Sequence, residues 1–251
     1  MAPWTWPFLF LAGLAAGFVD AIAGGGGLIT LPVLLGGGLP PAEALATNKL
    51  QATFGSGSAA WHYRRANLVD MPSAWLGIVA TAVGAVGGAW AAARLDPTFL
   101  RKLIPCLLAV VALIVWRRPR LGAEARPARW PWRPFFLCGG LGLGFYDGFF
   151  GPGTGTFWTV AFVGVAGFEL LRAVAWTKWM NFTSNVVALA AFSFAARLDW
   201  GAGLSMGAGQ WLGARLGARV AIRGGAHLIR PVFLTVVALA TVKLFYDGWW
   251  R

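Results

Sequence analysis

The stretch "DAIAGGGGLITLP" (Asp20–Pro32) places one acid and four consecutive glycines inside an apolar run, Pro7–Gly37. As one helix, this run of about 31 residues would be roughly 46 Å long, more than a bilayer core of about 30 Å requires. Four glycines do not continue a helix at reasonable cost. We therefore expect a discontinuous helix, with a first half that ends near Ala23 and a second half that begins at about Leu28. Backbone that leaves helical geometry inside a membrane must be buried in protein or line a wet cavity.

The composition of the whole chain indicates a polytopic membrane protein. Of its 251 residues, 58% are hydrophobic and 12% are charged, whereas a soluble domain has about 25% charged residues. Windows such as Ala74–Ala93 are uncharged over about 20 residues, the length that crosses a bilayer. The net charge of +12 comes from basic residues at the ends of apolar segments, a pattern typical of membrane topology and anionic lipid contact. It does not indicate a nucleic-acid-binding face.

A polar stretch, residues 117–134, separates two halves of similar sequence. It carries six arginines and one acid, and its prolines forbid a continuous helix. We predict a connecting loop on the cytoplasmic side, between a first repeat at residues 1–116 and a second at residues 135–251. The motif "GFVDAIAGGGG" corresponds to "GFYDGFFGPGTG", which aligns Asp20 with Asp147, and "ATNKLQATFGS" corresponds to "AWTKWMNFTSN", which aligns Lys49 with Lys178. With two shorter matches in the same order, these correspondences indicate a duplication.

Each half contains four predicted membrane segments, of which the first is interrupted by glycines. The segments are Pro7–Gly37, Ala42–Tyr63, Ala74–Ala93 and Leu103–Trp116, then Phe135–Gly167, Phe168–Ala195, Gly201–Val220 and Val232–Trp249. The fold class is thus an all-α transmembrane bundle of about eight helices in two homologous four-helix repeats. We favour a single crossing by each interrupted segment, which makes the repeats parallel and places Arg215, Arg219 and Arg223 opposite the central loop. Two crossings by each would make the repeats inverted.

The two interrupted segments and two deep lysines predict the functional site. Paired interruptions at matching positions of two halves indicate a substrate site in secondary transporters, and the amides at the start of each second half-helix favour an anion. Lys49 and Lys178 lie about 10 to 12 Å inside their helices, and an intramembrane cation is functional by default. Hydroxyl and amide side chains surround both lysines and would suit a small oxyanion. An alternative is that Lys49 pairs with Asp20, and Lys178 with Asp147, only to neutralise buried charge.

At these residues the sequence resembles the TauE/SafE family of membrane transporters, the sulfite exporter family. The resemblance covers "AGFVDAIAGGGGLITLPVLL", "LATNKLQATFGSGSA", "GFYDGFFGPGTGTF" and "TKWMNFTSN". It implies a multi-pass protein of the inner membrane. It also implies transport of sulfite, sulfoacetate or other organosulfur oxyanions, coupled to the proton gradient. Trp176 departs from the family pattern, and we expect its indole to narrow the cavity.

We therefore predict a secondary transporter that moves a small oxyanion outward, with the bilayer, the solute and protons as partners and no cofactor, metal or nucleic acid. The sequence indicates no oligomeric state. Asp20 and Asp147 are predicted to carry protons or to act as counter-ions. The predicted substrate-binding residues are Gly24, Gly25, Gly26, Gly27, Thr47, Asn48, Lys49, Gln51, Gly151, Gly153, Thr154, Gly155, Thr177, Lys178, Asn181 and Asn185.

Three other functions remain as alternatives at this point. An intramembrane enzyme would use Asp20 and Asp147 as a carboxylate pair, but the sequence lacks H-E-x-x-H and G-x-S-x-G motifs. A channel would show flux without saturation or coupling. A membrane scaffold would have no use for a polar inward face. The chain also lacks a Walker-A pattern, so ATP is not implied.

Overall fold

The computed structural model describes residues 5–92, 124–195 and 198–249, and within these ranges the regular structure is entirely helical. The predicted segment Leu103–Trp116 lies outside the described residues. The all-α prediction is confirmed. The eight helices of the described ranges are α1 (Thr5–Ala23), α2 (Gly26–Gly36), α3 (Pro41–Arg65), α4 (Met71–Ala92), α5 (Trp132–Phe149), α6 (Thr154–Gly164), α7 (Leu170–Ala195) and α8 (Trp200–Trp249).

Glycines in the left-handed region end and restart the helices where the sequence predicted breaks. Gly24 and Gly25 have φ of 80° and 87°, between the end of α1 and the start of α2. Gly151 and Gly153 have φ of 95° and 87°, between α5 and α6. Residues with a Cβ rarely adopt this conformation, so glycine is required. A further break at Gly225, with φ of 56°, divides α8 into two parts that correspond to the predicted seventh and eighth segments.

Each of the first two breaks reverses the chain and forms a helical hairpin. In the second hairpin, the rings of Tyr146 and Phe157 lie 5.5 Å apart and those of Phe135 and Phe162 lie 5.4 Å apart, so α6 returns along α5. In the first, Leu34 of α2 belongs to one buried cluster with Leu9 of α1. The expected single crossing is therefore wrong. A run of glycines in the sequence predicts a kink and a chain reversal equally well. The reversal is selected by the packing of α2 on α1 and of α6 on α5.

Helix contacts define two groups of parallel helices. In the first group, α1 runs parallel to the first part of α8, because Phe10 contacts Gly209 and Phe18 contacts Gly217. Helix α3 has the same direction: its Leu50 lies against Gly203, and its Phe54 lies against Gly207.

In the second group, α4 and α5 are parallel, because Thr81 contacts Gly144 and Ala85 contacts Gly148. Helix α7 runs in the same direction as α5. Its Trp176 packs on Phe136 near the start of α5, and its Ser184 donates a hydrogen bond to Asp147 near the end of α5.

The two groups run in opposite directions. Gly57 of α3 lies against Phe182 of α7, and Ala46, earlier in α3, lies in one cluster with Ala188, later in α7. Helices at corresponding positions of the two predicted halves (α1 and α5, α3 and α7, α4 and the first part of α8) are therefore antiparallel. The preference for parallel repeats is wrong, because each hairpin adds a return passage that the segment count omitted.

Arginines concentrate at one end of the bundle, which we call the basic side. Here α3 ends and α4, α5 and α7 begin: the Trp176 indole donates to the Leu68 carbonyl at 3.1 Å, and the Trp132 indole donates to the Ser73 carbonyl at 3.2 Å. The part of α8 that carries Arg215, Arg219 and Arg223 approaches this same side, not the opposite one as predicted. The other arginines of the basic side are Arg64, Arg65, Arg126, Arg129, Arg133 and Arg172.

The outer surface is apolar, and the buried polar side chains lie inside an otherwise hydrophobic interior. Helices α1 and α4 are long and apolar enough to span a membrane, and α4 exposes a stripe that includes Trp75, Val83 and Trp90. A stripe of small residues on α8, formed by Gly209, Gly213 and Gly217, packs directly on α1. A Cβ on Gly209 would lie 2.0 Å from the Phe10 carbonyl oxygen, so only glycine allows this close approach.

Candidate functional site

The tips of the two helical hairpins meet inside the bundle. Gly24 of the first tip is so close to the second that a Cβ on it would lie 2.9 Å from the carbonyl carbon of Gly155. Beside this contact is a cavity of about 40 Å³, whereas a single water needs about 10–15 Å³. Its lining residues are Asp20, Gly25, Gly26, Gly27, Asn48, Lys49, Ala52, Asp147, Gly151, Gly153, Thr154, Gly155, Asn181, Asn185 and Gln210.

Lys49 of α3 is held by the second hairpin. Its Nζ donates to Oδ1 of Asp147 at 2.7 Å, to the carbonyl oxygen of the same residue at 2.5 Å and to Oδ1 of Asn185 at 3.3 Å. The hydroxyl of Ser184 donates to the other carboxylate oxygen of Asp147. Only 1% of the Lys49 side chain is exposed. Nearly every donor of this buried ammonium therefore has an acceptor, which is the condition under which a buried ion pair is tolerated.

Lys178 of α7 is held by the first hairpin. Its Nζ donates to Oδ2 of Asp20 at 2.9 Å, and Oδ1 of the same carboxylate accepts the backbone N–H of Gly26 at 2.9 Å. This N–H lies at the start of α2, where the helix end carries partial positive charge. The lysine side chain is fully buried, whereas 14% of the Asp20 side chain is exposed.

Both ion pairs join the first half of the chain to the second. The alternative pairing within each half, Lys49 with Asp20 and Lys178 with Asp147, is wrong. The physical reason is which hairpin lies beside each lysine. Helix α3 places Lys49 next to Asp147 of the second hairpin, and α7 places Lys178 next to Asp20 of the first hairpin. Neither half therefore neutralises its own buried lysine.

Thirteen of the eighteen predicted site residues line the cavity. Gly24, Thr47, Gln51, Thr177 and Lys178 lie outside it. Thr47 accepts a hydrogen bond from the backbone of Asp199 at 3.1 Å, and the Thr177 hydroxyl lies 3.2 Å from that of Thr159. Gln51 donates to Asn48 at 2.8 Å and so positions a lining residue from behind. These five residues support the site instead of facing its interior.

Two lining residues, Ala52 and Gln210, were missed by sequence reasoning. Gln210 lies between Gly209 and Gly213 of the α8 stripe, and a stripe of small residues is in itself typical of close helix packing. A signal was present, since an isolated amide in an otherwise apolar helix is expensive to bury.

Trp176 does not narrow the cavity as predicted. Its indole is fully buried in an aromatic cluster with Trp132, Phe136, Phe162 and Phe168. This cluster lies at the basic side, away from the hairpin tips. The tryptophan therefore contributes to packing between α5, α6 and α7.

The glycines of the tips give space to the ion pairs. A Cβ on Gly151 would lie 2.7 Å from Nζ of Lys49 and 2.9 Å from Oδ1 of Asp147. A Cβ on Gly26 would lie 2.8 Å from Cβ of Asp20. Any side chain at either position would push its carboxylate away from the lysine.

The charges of the site can be summed from these contacts. The two lysines and two aspartates form two ion pairs, so these four side chains carry no net charge together. The N-terminal ends of α2 and α6 add partial positive charge to the site. Oδ1 of Asn181 is buried and has no hydrogen-bond partner. Among the described residues, no group of three or more His, Cys, Asp or Glu could hold a metal ion.

An apolar exterior with a polar cavity between two helical hairpins defines the chain as a polytopic membrane transporter. The chain belongs to the TauE/SafE family, because the family model "Sulfite exporter TauE/SafE" matches residues 9–244. It is 43% identical over 240 residues to "Probable membrane transporter protein YfcA" of Escherichia coli strain K12, covering 96% of this chain and 89% of that protein. "Probable membrane transporter protein ORF9" of a Sinorhizobium species is also 43% identical, with 96% and 92% covered. A "Probable membrane transporter protein" of Haemophilus influenzae is 42% identical, with 96% and 95% covered. No solved structure matches the chain.

Proposed function

We propose that this transporter carries small oxyanions of the sulfite or organosulfonate type outward across the inner membrane, coupled to the proton gradient. The observation that carries the proposal is the cavity of about 40 Å³ between the hairpin tips, with the Lys49 ammonium in its wall. The family description names sulfite export, and it supports both the substrate class and the direction.

The donors around the cavity suit a solute with several acceptor oxygens. Lys49, Asn48 and Asn185 bring an ammonium group and two amides to the lining. Gly27 and Gly155 lie in the first turns of α2 and α6, where backbone amides lack intrahelical acceptors and favour anions. A tetrahedral or pyramidal oxyanion has enough acceptors to engage donors from both hairpins at once.

The carboxylates provide a route to proton coupling. An oxyanion that binds Lys49 displaces the Asp147 carboxylate, which then stays buried without its cation. Such a charge is costly, and a proton on the carboxylate removes it. Asp20 also lines the cavity, so a proton on its carboxylate can weaken its pair with Lys178 in the same way. Anion binding and protonation therefore support each other in this scheme.

The arginine distribution supports an orientation in which the basic side faces the cytoplasm. Cytoplasmic loops of membrane proteins carry an excess of Lys and Arg. The described part of the predicted central loop lies on this side, where the N–H of Arg126 donates to the Gly167 carbonyl at 2.7 Å.

Flux in proteoliposomes tests the proposed function. Uptake of sulfite and sulfoacetate should saturate and respond to an imposed pH step, and Lys49→Ala should abolish it while the protein remains monodisperse. Lys178→Ala should also abolish uptake, because it leaves Asp20 without its cation. Arg64→Ala is the matched control, because it removes one exposed positive charge from the end of α3. Full flux in both lysine variants would overturn the proposal.

Two further results address coupling. Asp147→Asn should leave flux that no longer responds to pH if the carboxylate carries a proton. If the carboxylate is only a counter-ion, the remaining flux should keep its pH response. A loss of stability is expected in both cases, because Lys49 loses its buried partner. Flux in the wild type that neither saturates nor responds to a pH step would identify a channel.

A further inference from the structure

Gln210 is a buried amide in the cavity wall without a protein partner. Its residue is 2% exposed, it lines the cavity, and its side chain forms no hydrogen bond with any residue in the described ranges. Buried side-chain amides are almost always hydrogen-bonded. An amide that faces a cavity and lacks a protein partner is therefore available to whatever occupies that cavity.

The neighbouring helix leaves room for this side chain. Oε1 of Gln210 lies where a Cβ on Gly55 of α3 would be, at 1.9 Å from that position. Gly55 follows Lys49 by six residues, and Ser184 follows Lys178 by six. In the second half, Ser184 donates to Asp147. In the first half, a glycine at the matching position admits the Gln210 amide instead.

Gln210 has no equivalent on the other side of the site. Its backbone packs on Gly17 as that of Thr81 packs on Gly144, so Thr81 occupies the matching position. Thr81 is fully buried, its hydroxyl lies 3.4 Å from the Met180 sulfur, and it does not line the cavity. The two hairpins therefore present different chemistry to a bound solute.

We propose that Gln210 is a direct ligand of the transported solute and a determinant of which oxyanion is accepted. The inference rests on the proposed function. The uncharged amide donates to one solute oxygen while Lys49 attracts another, and its carbonyl can accept from a solute oxygen that carries a proton. A solute that binds both the Gln210 amide and the Lys49 ammonium must have oxygens spaced to reach the two groups. This requirement distinguishes one oxyanion from another.

Transport kinetics test this role with sulfite and sulfoacetate as the probes. Gln210→Met keeps the length of the side chain and removes the hydrogen bond, so KM should rise about tenfold to a hundredfold, as for the loss of one hydrogen bond to a charged group. Gln210→Glu keeps the shape and adds negative charge, so KM should rise further. Thr81→Val is the matched control and should keep KM within about twofold. A wild-type KM in Gln210→Met overturns the proposal.

Gly55→Ala tests the same contact from the opposite helix. The added methyl group would lie 1.9 Å from Oε1 and displace the amide, while Gly55 itself does not line the cavity. KM should rise as in Gln210→Met, with a monodisperse gel-filtration profile as the check on folding. If Gly55→Ala folds and displaces the Gln210 amide but KM is unchanged, Gln210 is not a direct ligand of the solute.

Cysteine labelling separates failure of this inference from failure of the proposed function. In a background with Cys106 and Cys138 replaced by serine, Gln210→Cys should react with a negatively charged methanethiosulfonate, and sulfoacetate should slow the reaction. Thr81→Cys should stay unreactive. If the wild type carries neither oxyanion but Gln210→Cys is labelled, the proposed function fails and the solute-facing position of Gln210 stands. If Gln210→Cys is as unreactive as Thr81→Cys, the inference about Gln210 fails.

Discussion

The exchange of ion pairs between the two halves predicts a specific pattern of stability changes. Lys49→Met removes three hydrogen bonds and leaves the Asp147 carboxylate buried beside Ser184 without a cation. Removing one partner of a buried pair costs about 3–5 kcal/mol. For a chain of this size, about 1 kcal/mol corresponds to roughly 2–4 °C in Tm, so Tm should fall by about 6–20 °C.

The partner is identified by a double-mutant cycle. Asp147→Asn alone should lower Tm by a similar amount, because Lys49 is then the uncompensated charge. The double variant Lys49→Met/Asp147→Asn should recover most of the loss, since replacing both members of a buried pair by neutral groups is often close to neutral. The assay is thermal unfolding of the purified protein in detergent at constant pH and salt.

The matched control is Lys49→Met combined with Asp20→Asn. These substitutions break two different pairs, so this double variant should recover less Tm than Lys49→Met/Asp147→Asn. Both pairs border one cavity, so the comparison is between the two double variants and does not assume additive losses. Recovery with Asp20→Asn and none with Asp147→Asn would refute the pairing between the halves and restore the pairing within each half. Transport is not needed as a readout, so the result holds for any substrate.

Three other predictions follow from the same contacts. Gly151→Ala should abolish transport and lower Tm, because its Cβ would lie 2.7 Å from Nζ of Lys49 and a left-handed backbone strains any residue larger than glycine. Gly142→Ala is the control: nothing lies near its Cβ position, so flux should equal that of the wild type and Tm should be equal or higher. Trp176→Ala should cost about 3–5 kcal/mol of stability with an unchanged KM, whereas a lower KM would return the indole to the cavity wall. Cysteines at the exposed positions Arg129 and Ala42 should react with an impermeant maleimide from opposite faces of the membrane, and labelling of both from one face would contradict the antiparallel helix directions.

Local signals in the sequence were sufficient to locate the hairpin tips and the buried charges. The first break was expected between Ala23 and Leu28, and α1 ends at Ala23 while α2 begins at Gly26. Glycine runs and lone lysines in apolar segments have strong local causes: helix propensity in one case and desolvation in the other. Such features depend little on the rest of the fold, and this explains why they were predictable.

Features that depend on packing between distant segments were not predictable. The reversal at each tip, the ion pairs between halves and the burial of Trp176 among aromatic rings all require knowledge of which helices are neighbours. Gln210 belongs to this group, since its place in the cavity depends on Gly55 of α3. The similarity of the two halves in sequence does not indicate that each lysine pairs with the aspartate of the other half.

The two ion pairs between the halves differ in how easily they can be separated. Lys49 has three acceptors, whereas Lys178 has Asp20 alone among the described residues. The Asp20 side chain is 14% exposed and that of Asp147 is 5% exposed. Because the less buried and less satisfied pair is easier to separate, we expect a solute or a proton to reach Asp20 first. A movement of the first hairpin would then be felt by α7, because Lys178 of α7 bonds Asp20 of that hairpin.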